Sequence, residues 1–210
     1  FVTQRFPLSG DDYSYLYQAH LFADGQISAQ DPLYDPRQPL YSCLTTNCLR
    51  DENGHRFSKY PPGWPILLAA GVATGAGWAV SPLLGALLVF LLLTHVERRI
   101  GRDRVMVTWF LLTVCVFFSY YAASLRAHTA TALFVFAAFL LYDAALRNSR
   151  RAGPWLFAAG ALLGYSSMMR YVDWVPLGVW IGVDLLRRRR FANLLTVGLG
   201  AASLSAYVLA

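Results

Sequence analysis

Two adjacent carboxylates, Asp11 and Asp12, are the residues in this sequence whose types and spacing could most readily do chemistry. They follow Ser9, and a serine with an acidic residue three positions later is typical of a helix N-terminus. A carboxylate can accept a proton from an attacking nucleophile, or hold a metal ion that does related work. Both side chains could instead simply complement the positive end of the helix. The residues alone leave these interpretations open.

Three further polar residues fall near the ends of predicted apolar helices, where charged groups are often functional. Arg126 and Arg170 each carry a planar guanidinium that suits two oxygens of a phosphate. Either arginine could also extend towards the membrane interface, and Arg170 could form an ion pair with Asp173. His128 is interpreted as a hydrogen-bonded residue at the interface.

The acidic pair requires a helix to position it, and the sequence predicts an amphipathic helix with the pair in its first turn. Ser9 is its N-cap and Gly25 is its stop signal. The apolar residues recur at helical spacing: Tyr15, Leu16, Ala19, Phe22 and Ala23. The following stretch, from Asp31 to Lys59, is rich in proline and is interpreted as loop-like.

The chain as a whole has the composition of a membrane protein. Of 210 residues, 56% are hydrophobic and 14% are charged, compared with about 25% charged in an ordinary soluble domain. The apolar residues form blocks, which predicts an all-α, multi-pass transmembrane bundle of about six spans over residues 79–210. The predicted helices cover residues 79–97, 105–122, 129–146, 155–170, 174–186 and 191–210. The chain begins at Phe1 and ends inside an apolar run, so we expect both ends to be internal to a longer protein.

Three arginine clusters separate the apolar blocks and predict the orientation of the bundle. They lie at 98–104, 147–151 and 187–190, and hold eleven of the 18 basic residues. The positive-inside rule makes all three cytoplasmic. No aromatic residues alternate with the arginines as they do on base-stacking surfaces, so we expect no nucleic-acid partner.

The segment from Trp64 to Trp78 is apolar but only about fifteen residues long. If it crosses the membrane, residues 1–60 are cytoplasmic; if it lies in the interface or re-enters, they are outside. Its length favours the interfacial or re-entrant form.

The cysteines give a weaker indication of the compartment. Cys43 and Cys48 enclose four residues and could form a disulfide on an oxidising face, an alternative that the spacing leaves open. Cys115 lies in the middle of a predicted span and is interpreted as a packing residue.

The order of features along the chain resembles a known family. After the acidic pair and the polar loop, the segment KYPPGWP (59–65) leads into an apolar helix. Spans then end in ERRIGR (97–102) and near SLRAHT (124–129), and GALLG (160–164) runs on to Arg170. This order resembles the polyprenyl-phosphate-dependent glycosyltransferases of the C-type superfamily, which include protein O-mannosyltransferases and aminoarabinose transferases.

The resemblance implies transfer of a sugar from a polyprenyl phosphate to an extracytoplasmic glycan, lipid or protein, in the cell membrane. Residues 1–78 would form the first extracytoplasmic loop, with juxtamembrane helices that include 64–78. Asp11 would be the catalytic base, or a ligand if a divalent metal ion takes part, with Asp12 supporting it. The substrate contacts implied are Arg126, His128, Arg170, Lys59 and Tyr60.

A transporter or flippase is the rival interpretation from another class of protein. In that case Asp11, Arg126 and Arg170 would line a path for a lipid-linked or anionic substrate. An inverted repeat with broken helices would favour this reading, and the sequence has no visible repeat of that kind.

Overall fold

A computed structural model describes residues 9–31, 47–51, 53–148 and 152–205. Helices dominate, which confirms the predicted all-α class, and a small sheet lies between the first two helices. The helices are α1 (Gly10–Ala23), α2 (Gly63–Ala73), α3 (Gly77–Arg99), α4 (Asp103–Val114), α5 (Val116–Ala123), α6 (His128–Arg147), α7 (Ala152–Met169), α8 (Val175–Arg187) and α9 (Phe191–Ser205). The strands are β1 (Ala29–Gln30), β2 (Cys48–Arg50) and β3 (His55–Ser58). Cys43 lies outside the described residues, so the disulfide stays a prediction.

Helix α1 begins and ends where the sequence predicts. The hydroxyl of Ser9 accepts a hydrogen bond from the backbone N–H of Asp12 at 3.2 Å, which confirms the N-cap. The helix ends at Ala23, and Gly25 follows with a φ of +73°, a conformation that glycine adopts without strain. The acidic pair therefore lies in the first turn of α1.

The prediction that residues 31–59 are loop-like is wrong where the chain forms β2 and β3. These strands pair antiparallel, with Leu49 opposite Phe57, and β1 pairs with the other edge of β3. The strands have four residues or fewer. They are polar and too short to show an alternating pattern.

Two helices of the described residues, α3 and α6, are long and apolar enough to cross a membrane. A third crossing results if α4 and α5 form one span, but they are bent by 68°. The predicted single helix 105–122 is therefore broken, at Cys115, which has an extended backbone and is exposed instead of packed. Neither proline nor glycine marks this break in the sequence. The apolar segment that begins at Trp64 forms the short helix α2. The number of six membrane spans stays a prediction.

The outer surface of the helices is strongly apolar. Helices α4 and α5 bury none of their residues within the chain. Large apolar side chains are exposed on several helices: Leu83, Phe90, Phe110, Phe117, Trp180 and Leu195. A helix that is apolar on the side facing away from its own protein is typical of contact with lipid or another chain.

Helices α7 and α9 pack closely through glycines. A Cβ atom at Gly160 would lie 2.1 Å from the carbonyl oxygen of Val197, and one at Gly164 would lie 2.2 Å from that of Ala201. Gly160 and Gly164 have the small-xxx-small spacing with which membrane helices approach one another. The backbones of α7 and α9 are therefore in direct contact at this point.

A second packed region joins α1 and α2 to the start of α6 and the end of α7. The indole N–H of Trp64 donates to the carbonyl oxygen of Leu125 at 2.6 Å, and the side chain of Trp64 is fully buried. The hydroxyl of Tyr165 donates to the carbonyl oxygen of Gly63 at 2.9 Å. These two bonds fix the beginning of α2 against segments far along the chain.

The described arginines of the three clusters gather at one end of the helices. Arg99 of α3 and Arg147 of α6 both donate to the carboxylate of Asp143. The end of α8 joins them, because Asp184 accepts a hydrogen bond from Tyr142. Helix α6 has 20 residues, so its start at His128 is about 30 Å away.

Candidate functional site

A cavity of 390 Å³ lies at the start of α6, at the end of the helices opposite the arginine clusters. Five of the residues singled out in the sequence line it, and they come from four separate segments of the chain. These residues are Asp11, Lys59, Tyr60, His128 and Arg170. The fold thus brings one carboxylate and two cationic side chains to the same open cavity.

Asp11 is held in a defined orientation by two donors. Its Oδ1 accepts a hydrogen bond from the hydroxyl of Tyr60 at 2.6 Å and from Nδ2 of Asn47 at 2.7 Å. Within the described part of the chain, no donor bonds to Oδ2 of Asp11. One carboxylate oxygen is therefore fixed, and the other is available to a ligand.

The ring of Tyr60 is fixed as well, by stacking on Tyr15 with the ring centroids 4.7 Å apart. Burial raises the pKa of Tyr15 to about 12. Burial, followed by the hydrogen bond to Asp11, also raises the pKa of Tyr60. Both tyrosines therefore stay protonated at neutral pH, and Tyr60 remains a donor to the carboxylate.

The small sheet positions Asn47, a site residue that sequence reasoning missed. The hydroxyl of Ser14 donates to the carbonyl oxygen of Asn47 at 2.6 Å and lies 2.8 Å from the hydroxyl oxygen of Ser58. The backbone N–H of Ser58 donates to Oε1 of Gln18 at 2.8 Å. These contacts fasten the sheet to α1, which brings the Asn47 amide to Asp11. No spacing or motif around Asn47 indicates this role.

Asp12 and Arg126 form a separate ion pair that is not part of the cavity lining. Nε of Arg126 lies 3.7 Å from Oδ1 of Asp12, and the side chains are 22% and 3% exposed. The sequence favours phosphate binding by one of the two arginines; Arg126 is paired with Asp12, whereas Arg170 lines the cavity.

Arg170 and Lys59 supply the positive charge of the cavity. Nε of Arg170 lies 2.9 Å from Oδ2 of Asp173, which confirms the ion pair that the sequence suggests. The two residues are three positions apart, and their side chains are about one-third exposed. Part of the Arg170 guanidinium therefore stays accessible. The ammonium of Lys59 lies 5.2 Å from the ring centroid of Tyr60, within the range of a cation–π contact.

His128 is stacked on Tyr121, with the ring centroids 4.0 Å apart and the planes nearly parallel. Its Nδ1 is buried and has no hydrogen-bond partner among the described residues. The prediction of a hydrogen-bonded His128 is therefore not met at this nitrogen.

The donor set of the cavity does not suit a divalent metal ion at Asp11. Oδ1 of Asp11 already accepts two hydrogen bonds, and the Asp12 carboxylate is directed to Arg126. In the described ranges, no three His, Cys, Asp or Glu side chains converge as metal ligands would. Lys59 and Arg170 add positive charge to the same space, which disfavours a further cation.

Comparison of the chain with family models, with curated proteins and with solved structures finds no match.

Proposed function

We propose that this protein is a membrane glycosyltransferase that moves a sugar from a polyprenyl-phosphate donor to an extracytoplasmic acceptor. The observation that carries the proposal is the cavity lined by the oriented carboxylate of Asp11 and by the cationic side chains of Arg170 and Lys59. Sugar transfer from a lipid phosphate needs both elements: a base for the acceptor and positive charge for the leaving phosphate.

In the proposed reaction, a hydroxyl or amine of the acceptor attacks the anomeric carbon of the sugar. The free oxygen of Asp11 takes the acceptor's proton while the new bond to the anomeric carbon forms. The bond between that carbon and the phosphate oxygen breaks, and its electron pair leaves with the polyprenyl phosphate. Arg170 and Lys59 stabilise the charge that develops on this phosphate.

The arrangement of charge supports an extracytoplasmic position for the cavity. The described arginines of the clusters lie at one end of the helices, and the cavity lies at the other end of α6. The positive-inside rule then assigns the arginine end to the cytoplasm and the cavity to the outer face. The donor's phosphate would reach it from the outer leaflet.

The test is the Asp11→Asn variant of the full-length protein, assayed with a polyprenyl-phosphate sugar. Asparagine keeps the size of the side chain and can still stabilise the helix start, but it cannot accept the acceptor's proton. We expect turnover to fall by about a hundred-fold to ten-thousand-fold, with an unchanged melting temperature. Asp24→Asn is the matched control, because Asp24 is an exposed residue at the other end of α1.

Near-normal turnover by Asp11→Asn would reduce the acidic pair to a helix cap and overturn the proposal. A transporter or flippase would then be the leading alternative. The bend of 68° between α4 and α5 is the feature that favours it, since broken helices commonly form transporter binding sites. Movement of a labelled lipid-linked sugar across vesicles without product formation would support that alternative.

A further inference from the structure

A second cavity, of 420 Å³, opens between α3 and α6 at the arginine end of the helices. It lies about one helix length from Asp11 and shares no residue with the first cavity. Its lining combines an apolar wall with a charged rim.

The rim carries an excess of positive charge. Arg98, Arg99 and Arg147 contribute three cationic groups, and Asp143 contributes the one carboxylate of the lining. Asp143 is already bonded to Arg99 and Arg147. Arg98 has no acidic partner among the residues that the structure describes. The rim therefore has a net positive charge and at least one guanidinium available to an anion.

The wall of the cavity is apolar and continues along the two helices. Leu91 of α3 and Leu140 of α6 lie on the side nearer the middle of the helices, and Ala144 of α6 adds to the apolar lining. Both helices are long and apolar enough to cross a membrane, and the cavity lies at their last turns. The arginines are therefore at the depth of lipid headgroups, and the wall is at the depth of the first acyl carbons.

We propose that this cavity binds an anionic phospholipid, with the phosphate at Arg98 and Arg147 and the upper acyl chain against Leu91 and Leu140. Charge complementarity with the rim selects an anionic headgroup, and the apolar wall selects a lipid over a soluble anion. Basic pockets between membrane helices on the cytoplasmic side bind such headgroups in this way.

The experiment measures lipid retention by the purified full-length protein in nanodiscs of phosphatidylcholine alone or with one-fifth phosphatidylglycerol. Native mass spectrometry counts the retained lipids after release from the disc, and melting temperatures are recorded in parallel. A third arm adds inorganic phosphate to the phosphatidylcholine discs. The variants are Arg98→Gln and Arg147→Gln. The matched control is Arg104→Gln, in the same cluster but outside the cavity lining.

We expect the wild-type protein to retain phosphatidylglycerol and to melt at a higher temperature in its presence. Each rim variant should weaken retention by about five-fold, since one basic residue near an anionic headgroup contributes about 1 kcal/mol. Arg104→Gln should behave like the wild type. If both rim variants retain phosphatidylglycerol as well as the wild type does, the proposal is overturned. The same holds if Arg104→Gln loses as much lipid as the rim variants do. If inorganic phosphate raises the melting temperature as much as phosphatidylglycerol does, the cavity binds a soluble anion, and the assignment to a lipid is overturned.

Discussion

Nε of Arg126 lies 3.7 Å from Oδ1 of Asp12, and neither atom makes a hydrogen bond to another described residue. Asp12 is 2% exposed, so its carboxylate depends on Arg126 for charge compensation. Removing one partner of a buried pair leaves an uncompensated charge, which costs more than removing both. This pair therefore supports the fold next to the cavity, and Asp11 is the carboxylate of the acidic pair that lines it.

A double-mutant cycle tests this structural role. Arg126→Met should lower the free energy of unfolding by about 3 kcal/mol, and Asp12→Asn combined with Arg126→Met should recover part of the loss. Unfolding in detergent measures both. The exposed pair Asp103 and Arg104 is the control, since its loss should cost less than about 1 kcal/mol. Strictly additive losses at Asp12 and Arg126 would show that the two side chains do not stabilise each other.

Arg170→Lys should impair use of the donor, because a planar fork that can bond two phosphate oxygens becomes a point charge. Loss of one charged contact should reduce kcat/KM by the equivalent of about 1.5–3 kcal/mol. Asp173→Asn separates this role from that of a simple ion pair, since it removes the partner of Arg170 and keeps the guanidinium. Normal donor use by Arg170→Lys would contradict phosphate binding. An equal defect in Asp173→Asn would indicate that the ion pair itself is what matters.

The proposed orientation predicts which surfaces are accessible on intact cells. Single cysteines at Asn53 and Ala123 should react with an impermeant thiol reagent, whereas one at Asn148, beside the arginine end, should not. The parent of these variants carries Cys115→Ser, and the labelling of that parent is subtracted. Labelling at Asn148 but not at Asn53 would reverse the orientation and place the cavity on the cytoplasmic side.

Gly160→Ala should destabilise the contact between α7 and α9, because the added Cβ would lie 2.1 Å from the carbonyl oxygen of Val197. Overpacking of this kind costs about 1–3 kcal/mol. Gly198→Ala is the matched control in α9, where the new Cβ would meet no atom of another described helix within 4 Å and alanine is the better helix former. Melting temperatures that fall equally in both variants would show that the close approach is not the cause.

The sequence predicts the local features of this fold well and the long-range ones poorly. The cap at Ser9 and the stop at Gly25 depend on neighbouring residues alone, so local rules identify them. The break at Cys115 has no local signal, since the flanking residues suit one continuous helix. The contact of Asn47 with Asp11 joins residues 36 positions apart, and spacing along one chain does not encode it.

The site residues illustrate the same limit. Residue chemistry and the resemblance suggest Asp11, Arg126 and Arg170 as candidates, but they do not distinguish between the two arginines. The separation depends on packing: the side chain of Arg126 is directed to Asp12, whereas Arg170 lies at the end of α7 and faces the cavity. Only the three-dimensional arrangement shows which guanidinium a ligand could reach.

The cavity around Asp11 is built from segments that the ribosome produces at very different times. Its carboxylate is near the beginning of the described chain, and its guanidinium is 159 residues later. At about 5–20 residues per second, translation needs roughly ten to thirty seconds to cover that distance. The anchoring bond from Tyr165 to Gly63 also joins residues 102 positions apart. The nascent chain must therefore be extended to the end of α7 before the Tyr165 bond and the Arg170 side of the cavity can form, so the site around Asp11 is completed late in synthesis.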